Sequence, residues 1–238
     1  MSTTDLRRHV VIVGGGFAGL GCARRLADRG DIRITLIDRN NYHQFQPLLY
    51  QVATSLLSPS DIAHSLREVF TDQDNVDVKL AEISAIDTSA KTVKSTDGDQ
   101  WSADMLVLAA GSQPNFFGTP GAPEHSFPLY SLDNATNLRS RILGLFEQVD
   151  RHSDLVRQGA LNFVIVGGGP TGVEVAGAIG DMVAETVPAE YRDVDIGAAN
   201  IYLLDYGDAL LKPFSDKAHG YVAKVLTEKN VKIRLGTG

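Results

Sequence analysis

The apolar positions fall into two regimes. Short, nearly continuous aliphatic runs at 9–13, 32–37, 161–166 and 201–204 show no polar alternation, as expected of parallel strands covered on both faces. Between them the period lengthens to that of an amphipathic helix. A helix is predicted from Phe17 to Asp28, with Gly30 as its C-terminal cap. Ser58-Pro59-Ser60-Asp61 reads as a capped start for a second helix, whose buried stripe is Ile62, Leu66, Val69 and Phe70. A third starts at Ser131 and presents Ala135, Leu138, Ile142, Leu145 and Val149, and a helix after the 161–166 strand runs to about Val187. The last begins at Ser215 and ends at Asn230.

Residues 76–101 change period again. They alternate apolar and polar, with turn signals at 88–91 and Asp97-Gly98, so a strand followed by an antiparallel meander is expected. Residues 103–111 read as another buried strand, and 231–235 as a last one. Four of the nine prolines lie in 113–130, which marks a linker and domain boundary. The expected fold class is α/β, with two Rossmann-like, doubly wound and mostly parallel nucleotide-binding units. The first, 1–115, carries the meander. The second, 116–238, shows strand, helix, strand, helix, strand without meander or closing strand, and reads as truncated.

The turns after two of these strands carry the chemistry. Gly14, Gly16 and Gly19 fill a G-x-G-x-x-G pattern, and Gly167, Gly169 and Gly172 repeat it. In this pattern the first glycine permits the turn, the second lets the backbone approach a pyrophosphate, and the third lets helix pack on strand. The helix N-terminus then faces the phosphates with free N–H groups and the positive end of its dipole. Asp38 lies nineteen residues after Gly19, the spacing of a carboxylate that accepts ribose hydroxyls. Asp205 lies 33 residues after Gly172, an interval stretched by the helix and a polar insert at 188–200. No arginine adjoins Asp205, which suits a free 2′-hydroxyl and hence NADH over NADPH. The connector 39–57 is rich in aromatic and amide side chains. These either line a ligand or cover the core, and His43 by itself is read as structural.

Composition narrows the choice. A net charge of −7 argues against nucleic acid. No apolar run approaches the ~18 residues of a membrane span, and Arg7-Arg8 precedes too short a run for a signal peptide, so a cytoplasmic chain is expected. Cys22 is the single cysteine, leaving no redox pair, and it is read as a small buried apolar group. No metal site is expected.

Together, VVIVGGGFAGL, DRNNYHQFQPLLYQVAT, ADMLVLAAGSQPNFFG and VIVGGGPTGVEVAGAI resemble the two-dinucleotide-binding flavoproteins, and among them the type II NADH dehydrogenases. The resemblance implies FAD on Gly14, Gly16, Phe17, Ala18, Gly19 and Asp38, with Arg39 near the adenosine and Ala110 and Gly111 against the cofactor. It implies NADH on Gly167, Gly169, Pro170, Thr171, Gly172 and Asp205, and places Glu174 at the nicotinamide–flavin junction. A bland role for Glu174, a carboxylate in the first helical turn stabilised by the dipole, stands beside that one. The implied reaction passes hydride from NADH to FAD and then electrons to a quinone. The family's C-terminal part, which closes the flavin domain and attaches the enzyme peripherally to the inner face of the cell membrane, is expected beyond this chain. Homodimerisation is left open. A ferredoxin or rubredoxin reductase and a non-catalytic FAD/NADH sensor are the alternatives. Disulfide reductases and sulfide:quinone oxidoreductases are disfavoured by the lone cysteine.

Overall fold

The computed structural model describes residues 6–237, so the outer ends of both expected domains, at 1–5 and 238, lie outside the described residues. The chain forms two compact units, residues 1–45 with 60–117 and residues 46–59 with 118–238. Both are α/β with parallel sheets, as the hydrophobic pattern predicts.

The first unit opens with β1 (Arg8–Val13), α1 (Phe17–Ala27), β2 (Ile32–Asp38) and β3 (Tyr42–Gln44). The chain then enters the second unit as α2 (Leu49–Ala53) and returns at α3 (Pro59–Ile62). The first unit continues as β4 (Ala63–Ser65), α4 (Leu66–Val69), β5 (Val76–Leu80), the meander β6 (Ile83–Asp87), β7 (Thr92–Ser95) and β8 (Gln100–Ser102), and β9 (Met105–Leu108). Its main sheet is parallel, in the order β5-β2-β1-β9. Because side chains alternate across a strand, β1 serves two cores. Val10 and Ile12 pack with α1, Leu66 and Phe70, while Val11 and Val13 pack with Val93 and Trp101 of the meander. Each such buried aliphatic contributes roughly 1.5–3 kcal/mol.

Three expectations in this unit are corrected. The helix expected from Ser58 through Phe70 is two single turns separated by β4, which pairs antiparallel with β3, His43 opposite His64. The Phe45 N–H to Ile62 carbonyl and Leu66 N–H to Asn41 carbonyl bonds replace helical ones, and Ile62, Leu66 and Phe70 are buried all the same. Gly30 is no left-handed cap; α1 ends at Asp28, with ordinary negative φ. The strand at 103–111 is shorter, at Met105–Leu108, and half exposed, because β9 is the edge of the sheet.

The second unit begins, in the fold, with the borrowed segment 46–59. Leu49, Val52 and Ala53 of α2 are buried, and Gln46 donates to the Tyr130 carbonyl at 3.3 Å. After a short α5 (Ala122–His125) comes α6 (Leu132–Arg151), which starts with a full capping box between Ser131 and Asn134. Then follow β10 (Asn162–Val166), α7 (Pro170–Asp181), a π-helical turn at 182–186, α8 (Val187–Glu190), β11 (Asn200–Leu204), α9 (Asp216–Glu228) and β12 (Val231–Arg234). Asn230 ends the last helix with φ +59°, as expected for an asparagine at that position. The three strands are parallel, ordered β10-β11-β12. Phe163, Ile201, Leu203 and Val231 face the core, whereas Val164 and Val166 on the opposite face of β10 are 58% and 81% exposed.

Candidate functional site

Each unit builds one glycine-rich loop from the same parts. At the end of β1 the Gly14 N–H donates to the Ile37 carbonyl at 2.7 Å; at the end of β10 the Gly167 N–H donates to the Leu204 carbonyl at 2.8 Å. The chain then turns with φ of +106° at Gly14 and +109° at Gly167, a region that disfavours any side chain. A Cβ at Gly19 would overlap the Gly14 carbonyl oxygen, and one at Gly172 would overlap that of Gly167. The third glycine of each motif therefore lets the helix lie directly on the turn. By contrast, nothing stands within 4 Å of a Cβ built on Gly16 or Gly169, so the face at each helix N-terminus is open.

The acidic residues close the loops. Asp38 Oδ2 accepts the Gly15 N–H at 2.5 Å, and Oδ1 accepts the Asn40 N–H at 2.7 Å. Asp205 repeats this, with Gly168 at 2.5 Å on Oδ2 and Gly207 at 2.6 Å on Oδ1. The stretched interval before Asp205 is taken up by the π turn, α8 and the insert, and the carboxylate reaches the same place. Two carboxylate oxygens offer about four acceptor sites, so each aspartate keeps capacity for a ribose hydroxyl. Arg39 and Tyr206, which follow the two carboxylates, are exposed.

The middle glycine of each loop is also held by its carbonyl. His43 Nδ1 lies 3.0 Å from the Gly15 oxygen, whereas the Gly168 oxygen accepts the Leu211 N–H at 2.8 Å. A leucine lies beneath each: a Cβ on Gly15 would come within 2.6 Å of Leu66, and one on Gly168 within 2.6 Å of Leu210. Sequence reasoning missed all four of these supports. In Tyr42-His43-Gln44-Phe45 apolar and polar residues do not alternate, so no local signal marks His43 as inward-facing. Phe17, the residue after Gly16, is braced edge-on by His43 at 5.1 Å and Phe45 at 5.5 Å between ring centroids.

Of the small residues expected near the first loop, Ala109 makes the close approach: its carbonyl oxygen sits where a Cβ of Gly14 would be. Ala110 is exposed, and Gly111 turns with φ +71°. Glu174 is the fifth residue of α7, and the first turn holds no acidic residue, so the dipole argument for it does not apply. The first loop has Gly21 at that position. Burial pushes the Glu174 carboxyl above its ordinary value although the side chain is largely exposed. Glu174 edges a groove of about 260 Å³ in the second unit, lined also by Tyr50, Val173, Leu226 and the Asp181–Lys229 ion pair.

Known proteins match this arrangement. The chain is 42% identical over 235 residues to "Type II NADH:quinone oxidoreductase Ndh" of Mycobacterium tuberculosis, covering 97% of this chain and 50% of the relative. It is 29% identical to "External alternative NAD(P)H-ubiquinone oxidoreductase B2, mitochondrial" of Arabidopsis thaliana, covering 100% of this chain and 42% of the relative. The structure of NDH2 from Plasmodium falciparum in complex with NADH superposes with a TM-score of 0.86 at 22% identity, over 96% of this chain and 48% of that one. The chain thus spans about half the length of the curated relatives it matches. These homologues bear out the resemblance to type II NADH dehydrogenases. Residues 8–238 match the family described as pyridine nucleotide-disulphide oxidoreductase, and the chain belongs to that family.

Proposed function

We propose that this chain forms the two nucleotide-binding loops of an FAD-dependent NADH:quinone oxidoreductase, the first loop holding FAD and the second NADH. The observation that carries the reading is the duplication itself. Two loops with the same turn, the same open helix N-terminus and the same carboxylate anchor suit two dinucleotides. The 42% identical mycobacterial relative, a type II NADH:quinone oxidoreductase, supplies the names of electron donor and acceptor.

In this reading the peptide N–H groups at the starts of α1 and α7, around Phe17-Ala18 and Pro170-Thr171, face the pyrophosphates. Asp38 and Asp205 accept ribose hydroxyls, Arg39 lies by the adenosine of FAD, and Ala110 and Gly111 border the flavin nucleotide. Asp205 has Tyr206 rather than an arginine beside it, so its carboxylate disfavours a 2′-phosphate and selects NADH. The bound cofactors supply the hydride and electron transfer, and the protein contributes position and electrostatics. Glu174 is assigned to the nicotinamide–flavin junction. The domain assignment is FAD for the unit built mainly from 1–115 and NADH for that built mainly from 116–238. Peripheral membrane attachment on the cytoplasmic face through a C-terminal part, and a homodimer, complete the proposal; among the described residues no helix is long and apolar enough to cross a membrane. The ferredoxin and rubredoxin reductase alternative is not favoured.

Rapid mixing of the full-length oxidised protein with NADH, followed in the visible flavin absorbance, tests the reading. Bleaching is expected with NADH, faster than with NADPH, and recovery on adding a soluble quinone. Absence of bleaching by NADH would refute it.

A further inference from the structure

The peptide joining Gly15 to Gly16 has no side chain at either end, so flipping it costs less than at any other kind of site. Its orientation nonetheless decides whether the first loop can hold an anion. In a trans peptide the carbonyl and the following N–H point in opposite directions. Holding the Gly15 oxygen on one side therefore sends the Gly16 N–H to the other, at the open N-terminus of α1. A flipped peptide would present a carbonyl oxygen there instead, and repel a phosphate.

What holds the Gly15 oxygen is a side chain. His43 is 8% exposed and its Nδ1 lies 3.0 Å from that oxygen. A carbonyl oxygen can only accept, so Nδ1 carries the hydrogen. The backbone of His43 is held in the β3–β4 pair, and its ring packs edge-on against Phe17 at 5.1 Å. In the second loop the same carbonyl, on Gly168, takes the backbone N–H of Leu211. Both loops thus tether the carbonyl of the middle glycine, and only the first does so with a side chain.

We propose that His43 is a positioning residue for the first nucleotide: its Nδ1–H fixes the Gly15–Gly16 peptide so that the loop presents N–H groups to the pyrophosphate. The proposal rests on the flavin reading of the first loop and adds to it the group that sets the loop's polarity.

The test compares two variants of the full-length protein. In His43→Asn the amide Nδ2 can occupy the place of Nδ1 and donate to Gly15; in His43→Leu nothing can. FAD dissociation is followed by the rise in flavin fluorescence on release, and NADH binding by titration of the same samples. His43→Leu is expected to weaken FAD roughly tenfold or more, the effect of leaving one buried carbonyl unpaired, with NADH affinity unchanged. His43→Asn is expected to stay within about threefold of wild type, by the same reasoning. A general packing role would make the two variants fail alike and would overturn the proposal, as would a His43→Leu protein that keeps FAD as tightly as wild type. Failure of the wild type itself to bind FAD would overturn the flavin reading and this proposal together.

Discussion

In the first unit Gly15 is gripped by side chains alone, the imidazole of His43, the carboxylate of Asp38 and the methyls of Leu66. In the second, Gly168 is gripped by Asp205 and by Leu210-Leu211, just after β11 in the chain. The turn itself hardly differs, at φ +106° against +109°. Nor does the start of the helix need the same help. Pro170 fixes its own φ at the first position of α7, while Phe17 at that position of α1 leans on His43 and Phe45. The second solution holds the carbonyl with a backbone N–H instead of a side chain, and Leu211 stands at φ +53°, which costs roughly 1–2 kcal/mol for a residue with a Cβ. One backbone conformation, dictated by the glycine spacing, is thus compatible with different scaffolding, and the scaffolding is where the loops can be separated by mutation.

The largest effects are expected where the loops are alike. Gly19→Ala and Gly172→Ala each drive a methyl into the carbonyl of the first glycine of their own loop. Such overpacking typically costs about 1–3 kcal/mol and often more against backbone, or a 10- to 100-fold loss of binding. Gly19→Ala should lose FAD and keep NADH, and Gly172→Ala the reverse, as read by titration of each nucleotide. If either variant lost both, the loops would not be separate sites.

A smaller effect should distinguish them. Gly14→Ala and Gly167→Ala suffer similar backbone strain, since both glycines have φ near +110°. Only at Gly14 does the new methyl also meet the Ala109 carbonyl, because β9 runs beside β1; a methyl on Gly167 meets nothing within 4 Å. Gly14→Ala should therefore shift the urea midpoint further, by the equivalent of about 1–3 kcal/mol beyond its counterpart. Equal shifts in the two variants would mean that β9 does not hold the first loop closed.

The difference in scaffolding also marks what could be read from the sequence. Strands, glycine turns and the acids after them are set by residues close in sequence, and their spacing was visible. The break at β4 was not, because Ile62, Leu66 and Phe70 recur at a helical interval and the residues between them become a strand only where β3 offers an edge. Nor was the place of 46–59: an apolar segment after β3 shows that it will be buried without showing in which core. His43 and Leu66 reach the first loop from 28 and 51 residues away, and no local pattern pairs them with Gly15. Leu211 was hidden differently, since it acts through its backbone N–H and any residue but proline supplies one.

The smallest effect belongs to Glu174, whose counterpart in the first unit is Gly21. Desolvation raises its carboxyl above the ordinary value, so the folded state favours the protonated form. Below the ordinary glutamate range the group is neutral folded or unfolded and carries no penalty. As pH rises through the raised folded value the fold must hold a partly desolvated charge, and stability falls relative to a neutral side chain. Glu174→Gln should therefore be slightly more stable than wild type at neutral pH, and the two should converge as pH falls below the carboxylate range. The difference is expected to be well under about 1 kcal/mol, since the side chain is largely exposed. Thermal melts at matched pH values measure it. A Glu174→Gln variant less stable than wild type at neutral pH would show that the charged carboxylate has a favourable partner in the folded chain, outweighing its desolvation.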